Sequence, residues 1–411
     1  MAETATLGVI GAGVAGCALV ASLRRRGWSG PIGLWEAGRG PGGRAASRRS
    51  RNDEALVIDH GAPLFNIATA PAPALLAPLR AGGWIEPWGG IAADLGGEGQ
   101  LLRPSGDPLL AGELWHGCGG MDRMAHGLLE LAEACGPVER HWGHRVRQLE
   151  RRPGGGWALL NEDGEELAEV DWLVLSGSLL AHPRASALLG WPQVPLRQVA
   201  ATAGDPQLQR AVAAIGAIGT EGRSNLLLVV PASRAQPWRE LPFQLLACDR
   251  EAQARWDLRR LSVQPLTDGR CAVVAHSSAA LTAQYPQVFG TGSAIARELG
   301  ASPDRAAEAE LIDRLAEAVG GVVSRWLGEA EATAGLAVAQ RQLMRWGAAF
   351  PIPPGLPAEL QLCPASRIGF CGDFVEGLGF GRVEGALHSA EALAARLAAR
   401  LAGWAAGRLQ G

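Results

Sequence analysis

Hydrophobic positions are most regular at the start of this chain of 411 residues. Residues 6–10 form a short apolar run, which predicts a buried strand. Residues 11–16 follow without a break and read Gly-Ala-Gly-Val-Ala-Gly. Residues 17–25 are apolar in their first half and basic at their end, which is typical of a helix. A strand, a glycine turn and a helix are therefore predicted in that order.

The glycine turn matches the G-x-G-x-x-G fingerprint of dinucleotide-binding sites. Gly11 allows a sharp turn away from the strand, Gly13 leaves room for a pyrophosphate, and Gly16 allows close packing of helix on strand. Unpaired N–H groups and the helix dipole favour negative charge at the start of the helix. We therefore also include Val14 and Ala15 in the predicted site.

A second apolar run, residues 31–35, predicts a neighbouring strand that ends in Glu36. An acid at the tip of this strand can accept hydrogen bonds from both ribose hydroxyls of an adenosine. A second glycine turn, residues 42–44, carries a cation for a pyrophosphate. The site residues predicted from this stretch are Glu36, Ala37, Gly43 and Arg44.

The last part of the chain repeats this order of elements. Residues 367–371 read as a strand that ends in Gly372 and Asp373, and residues 383–401 read as a helix after a glycine loop. An acid there can hold a ribityl chain, and the helix N-terminus can face a flavin ring that becomes anionic when reduced. Two glycine turns from opposite ends of the chain favour FAD over NAD, because FAD needs a longer site.

Between these ends the periodicity changes several times. Residues predicted as strands are 55–58, 145–149, 157–160 and 170–175, and a helix is predicted to open near residue 121 and run to about 134. Further along, helical pieces at 206–215, 293–299 and 305–319 alternate with strands at 226–230 and 271–276. This region predicts a second domain, a sheet with helices on one side.

Composition and charge exclude several classes of function. The formal net charge of −3 gives no reason to expect nucleic acid or an anionic membrane as partner. The sequence contains no lysine, which excludes a Schiff-base lysine, a pyridoxal-phosphate anchor and a P-loop lysine. Tyr285 is the single tyrosine, so a mechanism that needs two tyrosines is excluded as well.

The seven cysteines are scattered and show no C-x-x-C spacing. They indicate buried thiols in a reducing compartment and no zinc site or disulfide framework. The apolar run at residues 7–23 is short for a spanning helix, follows an acid and contains the glycine fingerprint, so it does not read as a signal peptide. We expect a soluble, cytoplasmic protein without a metal site.

Four stretches resemble the FAD-dependent amine oxidase superfamily, and within it the renalase-like oxidoreductases. The first combines residues 11–16, Glu36 and residues 42–44. The second, Asp-His-Gly-Ala-Pro-Leu-Phe at residues 59–65, is similar to the family's Asp-x-Gly-Ala-x-x-Phe. Both stretches lie in the first part of the chain.

The other two stretches lie near the end. Residues 345–351 contain Arg-Trp-x-x-Ala-x-Pro and resemble the family's Arg-Trp-Arg-Tyr-Ala segment. The family's tyrosine after the Arg-Trp pair is missing here, since Gly347 and Ala348 follow Trp346. The last stretch has Gly372-Asp373 followed by Gly-Arg-Val-Glu-Gly-Ala at residues 381–386. Residues 180–335 carry little of the likeness.

The resemblance implies an α/β fold with a Rossmann-like FAD-binding domain of the p-hydroxybenzoate-hydroxylase type. We expect that domain to comprise 1–67, 112–178 and 338–411, and an α+β substrate domain on a mostly antiparallel sheet to comprise 68–111 and 179–337. FAD is expected to be bound non-covalently. The resemblance adds these residues to the cofactor site: Gly61, Ala62, Val146, Gly372, Asp373, Arg382 and Val383.

Renalase-like flavoproteins oxidise aberrant dihydro isomers of NAD(P)H, passing hydride to flavin N5 and electrons to O2 with release of H2O2. The resemblance implies this activity here, in a monomer or homodimer, with orientation rather than acid–base work supplying the rate. The alternatives are a flavin amine oxidase, an isoprenoid desaturase on the same fold, or a non-catalytic FAD-binding protein. The absence of lysine weakens the amine oxidase interpretation.

Four residues are candidates for the substrate pocket, and three of them also have a structural interpretation. Trp346 can stack beside the substrate or flavin, or belong to the core. Arg345 can hold a phosphate or carboxylate, or lie at the surface. His276 ends a predicted strand and can either line the pocket or have a structural role. Phe65 is the last residue of the second family motif.

Overall fold

We describe the protein from a computed structural model that covers residues 5–290 and 304–408. Of residues 187–189 and 402–408 only the backbone is described. The helix predicted at 293–299 lies outside the described residues.

The strands and helices are numbered in chain order. The strands are β1 (Leu7–Ile10), β2 (Ile32–Glu36), β3 (Ser47–Arg49), β4 (Val57–Asp59), β5 (Phe65–Ile67), β6 (Ile85–Pro87), β7 (Ala92–Leu95), β8 (Leu101–Leu102), β9 (Glu113–Gly117), β10 (Glu139–Trp142), β11 (Gln148–Arg151), β12 (Trp157–Leu160), β13 (Glu166–Val170), β14 (Trp172–Leu175), β15 (Gly219–Val230), β16 (Leu245–Cys248), β17 (Leu258–Pro265), β18 (Cys271–Ser277), β19 (Gln340–Ile352), β20 (Leu362–Cys363) and β21 (Ile368–Phe370). The helices are α1 (Val14–Arg25), α2 (Leu76–Ala81), α3 (Asp122–Glu133), α4 (Arg184–Leu189), α5 (Pro195–Thr202), α6 (Pro206–Ala217), α7 (Ala232–Arg239), α8 (Arg250–Trp256), α9 (Ala279–Gln284), α10 (Arg305–Leu327), α11 (Glu329–Val338) and α12 (Val383–Arg408).

One large sheet has the strand order β10-β2-β1-β14-β21-β20. Its strands are parallel except for β20, and they come from the beginning, the middle and the end of the chain. Helix α1 packs against α3 and α12 beside this sheet, and Val9, Leu34 and Val174 are fully buried in the shared core. This is the predicted Rossmann-like arrangement.

The second large sheet has the order β19-β15-β18-β17-β16-β7-β8 and is antiparallel except between β16 and β7. Leu226 and Leu228 of β15 pack with Leu315 of α10 on one face. Leu227 and Val229 pack with Ile58 of β4 on the other face, toward the first sheet. The predicted fold class, with a mostly antiparallel second sheet, is therefore confirmed.

Three smaller sheets accompany these two in the described part of the chain. Their strand orders are β11-β12-β13, β3-β4 and β5-β9-β6. We keep the predicted domain division as a proposal with one change. Because β19 is hydrogen bonded to β15 over most of its length, we place residues 340–352 with the second domain.

In the part of the chain that the structure describes, every helix is too short or too polar to cross a membrane. This holds for α1 as well, which is a helix of 12 residues beside the first sheet.

Gly16→Ala tests the close packing of α1 on the glycine turn. A Cβ atom at Gly16 would overlap the carbonyl oxygen of Gly11, which belongs to the backbone and cannot move away freely. We expect the free energy of unfolding to fall by about 1–3 kcal/mol, with a lower FAD content. Thermal and urea unfolding measure the change.

Gly154→Ala is the matched control. A Cβ atom there would meet nothing within 4 Å, and Gly154 is exposed. We expect a change within about 0.5 kcal/mol. Equal effects of the two substitutions would contradict the packing role of Gly16.

Candidate active site

A cavity of about 510 Å³ runs from the glycine turn after β1 to the inner face of the second sheet. Cavities of this size are typical of cofactor and small-molecule sites. Its lining includes residues from both large sheets and from α12. The two layers therefore share one site.

The glycine turn presents open backbone to this cavity. Gly11 adopts a φ of +99°, a conformation that favours glycine, and its N–H group donates to the carbonyl oxygen of Trp35. Gly13 lines the cavity, and a Cβ atom there would meet no protein atom within 4 Å. The space next to Gly13 is thus free for a phosphate at the N-terminus of α1. Gly16 packs against Gly11 and does not line the cavity.

Glu36 is fixed at the tip of β2 by two backbone groups. Its Oε2 accepts a hydrogen bond from the N–H of Ala12 at 2.9 Å, and its Oε1 accepts one from Gly38 at 2.7 Å. Each carboxylate oxygen has a second lone pair available. Glu36 and Ala37 line the cavity, so the Glu36 carboxylate can still accept hydrogen bonds from the hydroxyl groups of a ribose.

Arg44 and Asp373 form a bidentate ion pair inside the cavity. Arg44 Nη1 and Nη2 donate to the two carboxylate oxygens of Asp373 at 2.7 and 2.6 Å, and Nη1 also donates to the carbonyl of Ala349. The sequence assigned separate roles to these two residues. Their pairing instead joins the first glycine turn to the last segment of the chain.

The other predicted cofactor residues lie around this pair. Residues in the cavity lining are Val14, Ala15, Gly43, Gly61, Ala62, Val146, Gly372, Arg382 and Val383. The backbone at Gly61 lies against Arg44, whose carbonyl accepts a hydrogen bond from the N–H of Ala62. Arg382 pairs with the fully buried Glu384 at 2.8 Å, which accepts backbone hydrogen bonds from residues 68 and 69.

Arg184 at the start of α4 lines the same part of the cavity and was missed from the sequence. Its Nη2 donates to Ser178 Oγ at 3.1 Å. Burial, with a smaller contribution from the neighbouring Arg44, lowers the pKa of Arg184 to about 10, so the guanidinium remains charged at neutral pH. No motif in the sequence distinguishes this arginine from the others.

The inner end of the cavity is lined by one face of the second sheet. Residues at odd positions of β15 from Arg223 onward, at even positions of β17 from Arg260 onward, and at even positions of β18 point to this face. The strand register places Asn225 opposite His276 and His276 opposite Arg260, and it places Arg223 opposite Trp346. All five line the cavity.

The groups at this end are buried and positively charged or neutral. Arg223 and Arg260 are 5% and 7% exposed. Burial, followed by the charge of Arg260, lowers the pKa of His276 well below its usual range, so His276 is neutral at physiological pH. His276 was predicted from the sequence, but the two arginines and Asn225 were not, because only the pairing of distant strands brings them together.

The remaining candidates occupy different places. Trp346 stacks on His60 with 5.4 Å between the ring centroids, and Phe65 lines the cavity while being largely buried. Arg345 follows the strand alternation to the opposite face of β19. It does not line the cavity, and its Nη1 donates to the carbonyl of Tyr285.

Cys363 and Cys371 precede the last glycine loop in the sequence but do not line the cavity. Cys363 and Cys371 are fully buried. Burial raises the pKa of Cys363 to about 12 and raises that of Cys371 further, so both remain thiols. Thiols in this state are poor nucleophiles.

Two family models match the chain. One, described as NAD(P)-binding Rossmann-like domain, matches residues 9–79. The other, described as Flavin containing amine oxidoreductase, matches residues 91–398, which is most of the chain. Together the two matches cover the glycine turn and the last segment that meet in the cavity.

Two solved structures of similar fold are an amine oxidase and an oxidoreductase. Cyclohexylamine oxidase from Brevibacterium oxydans IH-35A is 14% identical with a TM-score of 0.61, over 97% of this chain and 99% of that one. An oxidoreductase from Methanosarcina mazei is 13% identical with a TM-score of 0.55, over 94% and 99%. At such identities the similarity concerns the fold.

A curated relative matches more locally. The tRNA 5-methylaminomethyl-2-thiouridine biosynthesis bifunctional protein MnmC of Polaromonas sp. is 29% identical over 214 residues, which is 46% of this chain and 33% of that protein. The matched part is about a third of that relative's length.

Glu36→Gln tests the role of this carboxylate in cofactor binding. The amide group would place an N–H donor against one of the two backbone N–H groups and would remove the charge that a ribose hydroxyl favours. We expect the Kd for FAD to rise at least about tenfold. Fluorescence quenching during titration of the apoprotein with FAD measures it.

Glu113→Gln changes an exposed glutamate on β9 and serves as control. The Kd of the Glu113→Gln protein for FAD should equal that of the unmodified protein. A Glu36→Gln protein with unchanged affinity would show that Glu36 has no part in holding the cofactor.

His60 predicts a pH dependence of stability. Burial lowers the pKa of His60 to about 4 in the folded protein, whereas an exposed histidine titrates near 6.5. The unfolded chain therefore binds a proton in this interval and the folded chain does not, so stability is lost as pH falls from 6.5 toward 4. The slope is about 1.4 kcal/mol per pH unit for this one proton.

Urea unfolding of the protein and of His60→Gln at pH 7 and pH 5 measures this contribution. The loss of stability between the two pH values should be smaller in His60→Gln, with His276 supplying a remaining part. His144→Gln, at an exposed histidine, should keep the full loss. Identical losses in all three proteins would contradict the burial of a neutral His60.

Proposed function

The chain belongs to the flavin containing amine oxidoreductase family, and from that premise we propose that it oxidises a dihydronicotinamide substrate of the renalase-like kind, a dihydro isomer of NAD(P). It is an FAD-dependent oxidoreductase. When bound, FAD supplies an acceptor for a hydride and passes the two electrons on, in this proposal to O2 with release of H2O2.

The residues around the cavity fit FAD from both ends. The open space at Gly13 suits the pyrophosphate at the N-terminus of α1. Glu36 lines one part of the cavity and would accept hydrogen bonds from the adenosine ribose, and Asp373 with the start of α12 would hold the opposite part of the cofactor. The buried thiols support non-covalent binding.

The scarcity of acid–base groups in the cavity carries the proposal about the substrate. Among the described residues that line it, the carboxylates are Glu36 and Asp373, and backbone N–H groups or Arg44 already engage them. Two histidines line it. His276 has a pKa well below its usual range and is therefore a weak base, and His144 lies next to Glu36, whose carbonyl accepts a hydrogen bond from the backbone N–H of His144.

This setting suits a dihydropyridine better than an amine. An aliphatic amine carries an ammonium proton with a pKa of roughly 10, like lysine, and has to lose it before it is oxidised. A dihydronicotinamide ring gives up a hydride and becomes a pyridinium without losing a proton. The protein then needs to orient the ring and exclude water, which accounts for much of the rate in such reactions.

Charge in the cavity points in the same direction. Arg184, Arg223 and Arg260 line it, and guanidinium groups repel an ammonium and attract an anionic dinucleotide. Trp346 and Phe350 offer flat aromatic surfaces in the same space. The chain's own work is therefore to bind an anion and hold a planar ring.

Amine oxidation is the second candidate function. The family description and the name of the cyclohexylamine oxidase of similar fold favour it. In this reaction a neutral amine would have to enter, with His276 as the available base. Oxidation of an isoprenoid and non-catalytic FAD binding are the remaining alternatives.

Anaerobic mixing of the FAD-loaded protein with 2- and 6-dihydro isomers of NAD(P)H tests the proposal. We expect fast loss of flavin absorbance near ~450 nm, because hydride transfer reduces the flavin, and its return when air is admitted. Stopped-flow absorbance measures the rate.

Ordinary NADPH, cyclohexylamine and putrescine are the comparison donors, and each should bleach the flavin far more slowly. Bleaching by the amines alone would support the second candidate. A flavin that no donor bleaches would leave an FAD-binding protein without this activity.

A further inference from the structure

We infer that Arg223 and Arg260 bind one singly charged oxyanion of the substrate at the inner end of the cavity, and that Asn225 accepts a hydrogen bond from a donor beside that oxyanion. The inference rests on the proposed function in that it takes this cavity as the place where the substrate binds. It adds the chemical class of the group recognised there, a carboxylate or a phosphodiester.

The position of these residues follows from the sheet. Asn225 on β15 lies opposite His276 on β18, which lies opposite Arg260 on β17, so the three form a row across neighbouring strands. Arg223 stands two residues before Asn225 on the same face of β15. Rigid strands hold all four side chains, which is the usual basis of a preorganised site.

Each of the four has a buried polar atom without a partner. These atoms are Arg223 Nε, Arg260 Nε, Asn225 Oδ1 and His276 Nε2, and each residue is at most 9% exposed. Buried polar groups in proteins are nearly always hydrogen bonded, because an unpaired one costs roughly 1–3 kcal/mol. Four unpaired groups at one end of one cavity indicate a ligand that pairs them.

The charges at this end do not cancel. Arg259 and Arg260 share the carboxylate of Asp107, at 2.8 and 3.4 Å, and Arg223 pairs with Glu221 at 2.5 Å. Three guanidinium groups thus face two carboxylates. One positive charge is left, which matches a group with one negative charge better than a doubly charged phosphate monoester.

Asn225 adds a second requirement. Its Nδ2 donates to the carbonyl of His60 at 2.7 Å, so its Oδ1 is the atom left for a ligand. An oxygen accepts and does not donate. The recognised group therefore has an N–H or O–H donor close to its oxyanion.

Binding of small probes to the FAD-loaded protein tests the site. Binding is monitored through the change that each probe causes in the flavin absorbance spectrum. The probes are benzoate for a carboxylate, ADP-ribose for phosphodiester-type charge, and benzamide as a neutral analogue of benzoate. We expect at least one anion to bind and benzamide to bind much more weakly. Binding of benzoate alone assigns a carboxylate, and binding of ADP-ribose alone assigns a phosphate.

Arg223→Gln and Arg260→Gln should each weaken binding of the anion by about 10- to 100-fold, the effect of losing a buried hydrogen bond to a charged group. Neither substitution leaves a carboxylate buried without a partner. Glu221, the partner of Arg223, is 40% exposed to solvent, and Asp107, the partner of Arg260, keeps its ion pair with Arg259. Arg345→Gln is the control, since this arginine on β19 does not line the cavity, and it should change binding less than about twofold.

Arg223→Lys keeps the charge and should restore part of the affinity, and it replaces Arg223→Gln if that protein does not load FAD. Benzamide binding as tightly as the anions, or an equal loss in Arg345→Gln, overturns the inference. The result is separable from the proposed function. If the anion binds and the Arg223 and Arg260 variants weaken its binding, but dihydronicotinamides do not bleach the flavin, the proposed function alone is wrong. If dihydronicotinamides bleach the flavin but these variants bind the anion normally, this inference alone is wrong.

Discussion

The bidentate ion pair between Arg44 and Asp373 joins segments that are more than 300 residues apart in the chain. One partner follows the first glycine turn, and the other ends the last parallel strand before α12. Neither charge is left isolated in the cavity, because each guanidinium nitrogen that faces Asp373 meets one carboxylate oxygen. The pair therefore ties the first glycine turn to the end of the last parallel strand at the cavity that both segments line.

Local patterns were sufficient to select residues that the fold brings together at one cavity. The roles of Gly11, Gly13 and Glu36 depend on strands and turns that are adjacent in sequence, and the structure places these residues at one cavity. The fold class followed from the same patterns together with the resemblance at both ends of the chain. Strand β10 was missed because Glu139–Trp142 lies at the sheet edge and is not an apolar run.

The substrate side could not be predicted in the same way. Arg223, Arg260 and His276 come together through the register of three antiparallel strands, and the sequence does not determine which strand pairs with which. Arg345 and Trp346 illustrate the limit. Alternation requires neighbours on a strand to face opposite sides, but only the assembled sheet shows that Trp346 faces the cavity.

The order of segments in the first sheet has a consequence for biosynthesis. Strands β1 and β2 leave the ribosome before β21, Asp373 and α12, which are made more than 300 residues later. During that interval the nascent chain carries an open glycine turn and unpaired strand edges, a state prone to misassembly. The part of the cavity lining that Asp373 and α12 contribute is therefore made more than 300 residues after the first glycine turn, and the cavity is complete only when both segments are present.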